Sequence, residues 1–363
     1  MIIINSKNKI ILLGFSLTFF SSFGQTFFIS LFADKILKDF DIGYSLWGSI
    51  YFLGTITSAV SMIFFGGLID KYSPKKIISI FFILYSLACF MMAFNKFIFI
   101  LILTIFLLRF CGQGMLSHIA IVITSKFFNS KRGKAIAIVT LGFSLAESLL
   151  PVIFVNLMKI YTWEECWVIA GVVLLIFNFL LIIVIKNKNL KTKKNRKNLT
   201  DKKGMKNHYW NRKEMLKNWV FWFSMPAFIV QPGFTTIFFF QQIQFIKEKN
   251  WIVEGYVSLL PIYTFSSLIG LFFGGHIIDK FGVKSLLPFF LLPLCFGLLI
   301  SFNAINLIHM SVAFSLLGLM QGLGAVIFGA FWPEFYGTRN LGSIRSLATS
   351  TMIFSTAIGP LLS

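Results

Sequence analysis

Charged residues are scarce in this chain. Only 13% of its 363 residues are Asp, Glu, Lys or Arg, whereas 57% are hydrophobic and the mean hydropathy is +0.82. A water-soluble domain has too small an interior to hide that much apolar surface. The composition therefore excludes a soluble globular protein and predicts that the chain is embedded in a membrane.

The residue types that carry most enzyme chemistry are also rare. The chain has 13 acidic residues, four histidines and four cysteines. The cysteines show no paired spacing typical of a metal site, and no phosphate-binding loop of the Gly-x-x-x-x-Gly-Lys-Ser type is present. No group of residues suggests a nucleophile with its base. We therefore predict that this chain is not an enzyme, binds no metal and needs no cofactor.

Long apolar runs, in contrast, are abundant. Eleven of them approach the roughly 20 residues that a helix needs to cross a bilayer. Because lipid offers the backbone no hydrogen-bond partners, and strands would be shorter and alternating, the runs predict an all-α membrane protein. The predicted spans are Ile10–Leu31, Leu46–Ile69, Lys76–Phe94, Ile98–Ile123, Lys134–Met158, Trp163–Ile185, Trp219–Gln242, Val253–Ile278, Ser285–Phe302, Leu307–Trp332 and Ser343–Ser363.

The chain has a net charge of +20, and its basic residues are unevenly divided between the two sides of the predicted membrane. If the N-terminus is cytoplasmic, the inner segments carry 26 of the 33 Lys and Arg residues, the outer segments carry six, and Arg109 lies within a span. Such a bias predicts a multi-pass protein of the plasma membrane with its N-terminus in the cytoplasm. A nucleic-acid partner would require basic and aromatic residues mixed on a soluble face, and none is recognisable.

A short charged turn occurs twice between apolar runs. Gly66-Gly67-Leu68-Ile69-Asp70-Lys71 follows the second span, and Gly274-Gly275-His276-Ile277-Ile278-Asp279-Lys280 follows the eighth. Asp70 and Asp279 are 209 positions apart. This repeat divides the chain into a six-span bundle (1–185), a basic linker (186–218) and a second bundle (219–363). We expect the linker to be flexible, with a short amphipathic helix near Trp210–Leu216 lying on the membrane.

The same offset relates the fifth span to the eleventh, including Pro151 to Pro360. Applied to the sixth span, it places the corresponding partner beyond Ser363. We therefore expect a complete protein of this design to have a twelfth helix. A natural form with eleven spans is the alternative.

Two sets of six spans, the repeated turn and the basic central loop together resemble the major facilitator superfamily. The turns match the signature of that family at Gly66, Asp70 and Lys71 and again at Gly275, Asp279 and Lys280, whereas Ser73 and Pro74 replace its usual Gly and Arg. The resemblance implies two pseudo-symmetric six-helix bundles, the second incomplete. It also implies that the turns latch the outward-facing state. The alternative for these side chains is a simple anchoring loop.

Arg109 is the most distinctive residue within a span. It lies about eleven residues into the fourth span, near the midplane, where a charge must face protein or water. Glu147 lies at the same depth in the antiparallel fifth span. We hypothesise that the two charges pair in one state, and that an anionic substrate or a proton breaks the pair in another. A static structural ion pair is the alternative.

Four glutamines are candidates for substrate binding. Gln113 lies one turn after Arg109 and shares its face of the helix. Gln25, Gln231 and Gln321 lie in spans one, seven and ten, and the family resemblance implies that these spans and span four line one cavity. The alternative for each glutamine is a helix–helix hydrogen bond.

Further charges flank the spans. Arg132 and Arg345 lie near the inner ends of spans five and eleven, and we expect them to be gating or interfacial charges. His118 points away from Arg109, which favours a structural hydrogen bond.

The predicted function is secondary transport by alternating access. A small organic anion, such as a carboxylate, moved together with a proton, is the favoured substrate. The alternatives are export of neutral or amphipathic solutes and a truncated relic that does not transport. The expected partners are this small-molecule substrate, a proton and the lipid bilayer, with the protein acting as a monomer.

Overall fold

The computed structural model describes residues 6–128, 131–184, 202–240, 245–246, 248–252, 255–256 and 258–358. Within these residues the regular structure is helical, without a strand. Several features predicted from the sequence fall outside the described part: the span ends Ile185, Gln242, Val253 and Ser363, the Pro151–Pro360 correspondence, and linker residues 186–201. The helices are α1 (Asn8–Gly24 and Thr26–Asp39), α2 (Tyr44–Lys71), α3 (Pro74–Phe94), α4 (Ile98–Phe127), α5 (Arg132–Leu157), α6 (Trp163–Val184), α7 (Trp219–Phe240), α8 (Leu260–Phe281), α9 (Leu292–Phe302), α10 (Leu307–Phe335) and α11 (Leu341–Ile358).

The helix lengths fit a membrane-spanning bundle. Eight helices in the described residues are long and apolar enough to cross a bilayer, and the bent α1 makes a ninth. Helix α11 has 18 residues and is rich in Ser and Thr. Helix α9 has only 11 residues, fewer than the predicted span Ser285–Phe302. Pro288 lies in the turns that replace its first part, and proline cannot supply the amide of a regular helix.

The helices form two sets that meet along two lines of contact. In the first set α1 packs on α5, α3 on α6 and α2 on α4; in the second, α10 packs on α8 and α9. Helix α2 of the first set contacts α11 of the second, and α5 contacts α8. The all-α membrane fold predicted from the sequence is therefore confirmed.

Two helix irregularities lie side by side in the first set. Helix α1 bends by 46° at Gln25, whose backbone is extended (φ −89°, ψ 155°). Helix α4 contains a π-helical stretch, Arg109–Leu116, and such stretches frequently mark functional sites. A side chain at Gly24 would run into the carbonyl of Leu108, so glycine is needed for the two irregularities to approach this closely.

The linker differs from the sequence prediction. Its helix is shorter, Arg212–Leu216, and begins with a capping box between Asn211 and Glu214. Met215 is fully buried, and Arg212 donates a hydrogen bond to the Ile63 carbonyl oxygen at 2.7 Å. One apolar residue of this helix, Met215, therefore packs on protein, whereas Leu216 is exposed, and the position of the helix on the membrane stays a prediction.

This linker helix is connected to both sets of helices. Arg212 contacts α2, and its burial there lowers the pKa of the guanidinium. On the other side, Asn340 donates a hydrogen bond to the Trp210 carbonyl oxygen, and the Trp210 ring packs edge-on against Tyr336. The described end of the linker therefore bridges α2 and the α10–α11 turn.

Close contact between α1 and α5 generates a stability prediction. A side chain at Gly142 would collide with the Phe15 carbonyl and the Thr18 hydroxyl. We expect Gly142→Leu to destabilise the protein by about 1–3 kcal/mol, as overpacking does, and to lower its melting temperature in detergent. Gly43→Ala is the control, because no atom lies within 4 Å of the added carbon. Equal melting temperatures for the two variants would contradict this packing.

Candidate functional site

Arg109 is completely buried, with 0% exposure. Its Nη1 donates hydrogen bonds to the Gly24 carbonyl oxygen and the Thr26 hydroxyl, both at 3.2 Å, and its Nη2 donates to the Thr356 hydroxyl at 3.1 Å. The Tyr51 ring centre lies 5.2 Å from the guanidinium carbon, a cation–π distance. Helices α1, α2, α4 and α11 therefore meet at this one cation.

The break in α1 supplies one of the hydrogen-bond acceptors of Arg109. The Gly24 carbonyl lies at the end of the helical turn Ser21–Gly24, where carbonyls lack helical partners. Arg109 thus caps the end of a broken helix. Because Thr356 belongs to α11, the same guanidinium also links the first helix set to the second.

Glu147 does not pair with Arg109 in this structure. Among the described residues Glu147 forms no ion pair. It is half-buried on α5, within electrostatic range of Tyr263 on α8, and the buried Tyr263 hydroxyl has no hydrogen-bond partner in the described part of the chain. The Arg109–Glu147 pair therefore stays a prediction for another conformation.

Two of the four glutamines bond to each other in the second set, and the other two lie in the first set. Gln231 on α7 donates a hydrogen bond from Nε2 to Gln321 Oε1 on α10 at 3.0 Å, and its amide packs against Gly324. Gln25 is half-buried at the break in α1, and Gln113 is half-buried on α4. The Gln113 Oε1 atom is buried and has no hydrogen-bond partner among the described residues.

Asp70 caps a helix of the other set. Its Oδ1 accepts hydrogen bonds from Lys126 Nζ at 2.6 Å and from the Gly342 amide at 3.0 Å, and its Oδ2 accepts from the Ser343 amide at 2.7 Å. The amides belong to the first turn of α11, where helix N–H groups lack partners and the helix dipole favours an anion.

Asp279 makes the corresponding contact in the opposite direction. Its Oδ1 accepts from the Gly133 amide at 2.6 Å and its Oδ2 from the Lys134 amide at 3.0 Å, both in the first turn of α5. A side chain at Gly133 would run into the Gly275 carbonyl, so the close approach depends on glycine. Each set therefore caps one helix of its partner at the same end of the molecule. We call these two contacts the latch.

The other predicted gating residues have different surroundings. Lys71 and Lys280 are exposed, and Lys280 lies over the Phe281 ring at 5.0 Å. Arg132 is buried; its Nε donates to the Phe128 carbonyl oxygen. It also lies within electrostatic range of Glu334 and Asp279.

Arg345 lies at the α2–α11 contact, beside His118. Its Nη1 lies 3.1 Å from His118 Nδ1, and His118 Nε2 lies 3.1 Å from the carbonyl oxygen of Gly66. An arginine cannot accept, so the imidazole is neutral with its proton on Nε2. The bond assigns His118 the structural role predicted from the sequence. It also joins the two sets a second time near Asp70.

Sequence reasoning missed several of these contacts. Lys126 was counted only as a loop charge, and Thr26, Tyr51 and Thr356 carried no chemical signal. The repeat did give one signal for Thr356. It lies 209 positions after Glu147, so it occupies the position in the second set that Glu147 occupies in the first.

Comparison with known proteins identifies the family. The family model described as Major Facilitator Superfamily matches residues 14–360. The chain belongs to this superfamily. In the solved structure of the proton:xylose symporter XylE bound to 6-bromo-6-deoxy-D-glucose, the matched part covers 98% of this chain and 87% of that one, with a TM-score of 0.72 at 12% identity. This likeness supports the fold.

A curated relative matches a shorter segment. It is the probable plastidic glucose transporter 1 of Arabidopsis thaliana, 32% identical over 100 residues, which are 28% of this chain and 19% of that protein. The match thus spans about a fifth of that relative's length. The family model and the fold together show a multi-pass membrane protein of the superfamily.

The latch generates a prediction about conformation. In Asp70→Asn or Asp279→Asn the acceptor loses its charge, and a hydrogen bond to a charged group contributes about 1.5–3 kcal/mol. We expect the ratio of latched to open molecules to fall roughly tenfold or more in either variant, measured from spin-label distances between the two sets at the latch end. Asp41→Asn, on an exposed turn, is the control. Unchanged distances in both latch variants would mean that the caps do not hold this end closed.

Proposed function

We propose that this chain is a secondary transporter that moves a small, neutral, polyhydroxylated solute of the sugar class by alternating access. The observation that carries the proposal is the state of Arg109. Its guanidinium is fully buried and already donates to three oxygen acceptors, so it is not displayed as an anion receptor. The other candidate binding residues of the central region are uncharged amides.

Amides suit hydroxyl groups because each amide offers both a donor and an acceptor. Gln113 presents an unpartnered buried oxygen, and Gln25 lies at the neighbouring break in α1. Gln231 and Gln321 are supplied by the second set as one hydrogen-bonded pair. A ligand with several hydroxyls satisfies such a group without bringing a charge into a low-dielectric site. The names of both relatives refer to sugars, which supports the same class.

An organic anion is the second candidate. Arg109 uses three of its five N–H donors on Gly24, Thr26 and Thr356. Its buried Nε has no partner in the described residues, so the Nε–H and the second N–H of Nη2 are left for a carboxylate. Binding an anion with the other three donors requires the guanidinium to leave Gly24, Thr26 or Thr356.

The proposed cycle uses the latch and Arg109 together. With the N-terminus and the latch end in the cytoplasm, the structure corresponds to a protein closed on the cytoplasmic side. Opening that side breaks both helix caps and separates Arg109 from Thr356. The two sets then rock about the central site, as inverted-repeat transporters do, and one monomer contains the whole pathway.

Uptake into proteoliposomes tests the substrate class. We expect wild-type protein to accumulate a labelled monosaccharide, and Gln113→Ala to raise its KM roughly tenfold, because a hydrogen bond of about 1.4 kcal/mol is lost. Asn156→Ala, an exposed amide on α5, is the matched control. Uptake of carboxylates but not sugars, abolished by Arg109→Gln, would favour the anion instead. If Arg109→Gln left carboxylate uptake unchanged, the anion candidate would be lost.

Glu147 is the proposed proton-coupling residue. It is a half-buried acid near the α5–α8 contact with no cation paired to it among the described residues. Because protonation removes its charge, uptake into wild-type vesicles should rise as the outer pH falls. We expect Glu147→Gln to flatten this pH profile and to abolish accumulation driven by a proton gradient, while solute exchange continues. Glu164→Gln, near the start of α6, is the control. A wild-type pH profile in Glu147→Gln would refute coupling through this residue.

A further inference from the structure

One hydroxyl proton beside Arg109 has no acceptor in the described part of the chain. Thr26 Oγ1 on α1 lies 3.2 Å from Arg109 Nη1 and 2.9 Å from the Tyr51 hydroxyl oxygen on α2. Because arginine has only donors, its N–H donates and the Thr26 oxygen accepts. Among the described residues, neither hydroxyl has a further hydrogen-bond partner. The two hydroxyls therefore have two protons between them and one mutual hydrogen bond to form.

Burial decides which oxygen carries the free proton. Tyr51 is only 2% exposed, whereas Thr26 is half-buried. A buried donor without an acceptor costs free energy comparable to a lost hydrogen bond, and a donor that can reach water or a ligand avoids this cost. The arrangement of lower energy therefore has Tyr51 donating to Thr26, and the Thr26 O–H pointing into accessible space.

The other threonine bonded to Arg109 has no free proton. Thr356 Oγ1 accepts from Arg109 Nη2 and donates to the Ile353 carbonyl oxygen at 2.7 Å, three residues earlier. Threonine in a helix commonly bonds to the backbone of its own helix in this way. Thr26 begins the second half of α1, just after the extended Gln25, so the carbonyls of the preceding turn belong to the first half. The bend in α1 thus leaves the Thr26 hydroxyl proton available.

An unpartnered acceptor lies in the same region. Gln113, one turn after Arg109 on α4, has a buried Oε1 atom without a partner in the described residues. Thr26 thus offers a donor and Gln113 an acceptor, on two helices joined by the bonds of Arg109. A hydroxyl both accepts and donates, so a polyhydroxylated solute can bond to both groups. A carboxylate only accepts, so it can bond to Thr26 but not to the Gln113 oxygen.

We propose that Thr26 is a specificity-determining residue that donates a hydrogen bond from its free O–H to one hydroxyl oxygen of the transported solute. The inference rests on the proposed function and adds a contact to the same site. It does not require Arg109 to move, because the bonds of Arg109 to Gly24, Thr26 and Thr356 remain in place. Thr26 thereby recognises the position of one hydroxyl on the sugar ring.

Competition by monodeoxyglucoses tests this contact. Uptake of labelled D-glucose into proteoliposomes is measured with each monodeoxyglucose as an unlabelled competitor. In wild type we expect one deoxy position to weaken competition roughly tenfold, because the oxygen that accepts from Thr26 is missing. In Thr26→Val this penalty should vanish, and the KM for glucose itself should rise roughly tenfold. Penalties at the other deoxy positions should remain.

Three further variants separate the free proton from a structural role. Thr26→Ser keeps the hydroxyl and should keep the penalty. Tyr51→Phe should keep it as well, because it removes one hydroxyl and the mutual bond but leaves the Thr26 proton free. Thr57→Val, on the exposed face of α2 with its hydroxyl bonded to the Leu53 carbonyl oxygen, is the matched control. Equal effects of Thr26→Val and Tyr51→Phe would show that the pair only supports Arg109, and would overturn the proposal.

The outcomes distinguish this inference from the proposed function. If glucose is taken up but Thr26→Val keeps every deoxy penalty, the Thr26 contact is refuted and sugar transport stands. If labelled lactate is taken up instead of glucose, the sugar class is lost and lactate uptake decides the role of Thr26. A roughly tenfold rise of KM in Thr26→Val but not in Thr26→Ser then supports the contact, and equal KM values overturn it. Uptake of neither probe overturns both proposals.

Discussion

The structure depends on two carboxylates that cap helices of the opposite helix set. A helix N-terminus leaves backbone N–H groups without partners, and leaving them unpaired away from water is expensive. Asp70 satisfies two such amides of α11 and Asp279 satisfies two of α5. Water can replace either carboxylate when the sets separate. The same bonds can therefore hold the latch end closed and still be exchanged during the proposed transport cycle.

Much of this arrangement could be predicted from the sequence. The apolar runs indicated the number and order of the helices because lipid allows few other backbone structures. The repeated Gly–Asp turn located both caps, since two copies at matching topological positions are improbable by chance. What the pattern could not supply was the partner of each acid, because Asp70 and Gly342 are hundreds of residues apart. For the same reason the bonds of Lys126 and His118 across these helices could be recognised only once α4 was placed beside α2 and α11.

Arg109 shows a different limit of prediction from the sequence. Residue counting placed Arg109 and Glu147 at one depth, but it could not tell which way each side chain faces around the bundle. In the structure Arg109 instead bonds Thr356, the repeat counterpart of Glu147. The pseudo-symmetry therefore puts Glu147 at the equivalent place on the other line of contact, where it lies near Tyr263. Equal depth in antiparallel helices is necessary for contact. The two side chains must also face each other around the bundle, and residue counting does not show this.

The two lines of contact between the sets are consequently unequal. Among the described residues, the α2–α11 side is crossed by the Asp70 cap, the Arg345–His118 bond and the Arg109–Thr356 bond. The α5–α8 side has the Asp279 cap and the close contact of Gly133 with Gly275. Rocking the sets apart must break more polar bonds on the first side than on the second. One of those bonds belongs to Arg109, so in the proposed transport cycle a solute that draws Arg109 away from Thr356 would weaken the more strongly bonded side.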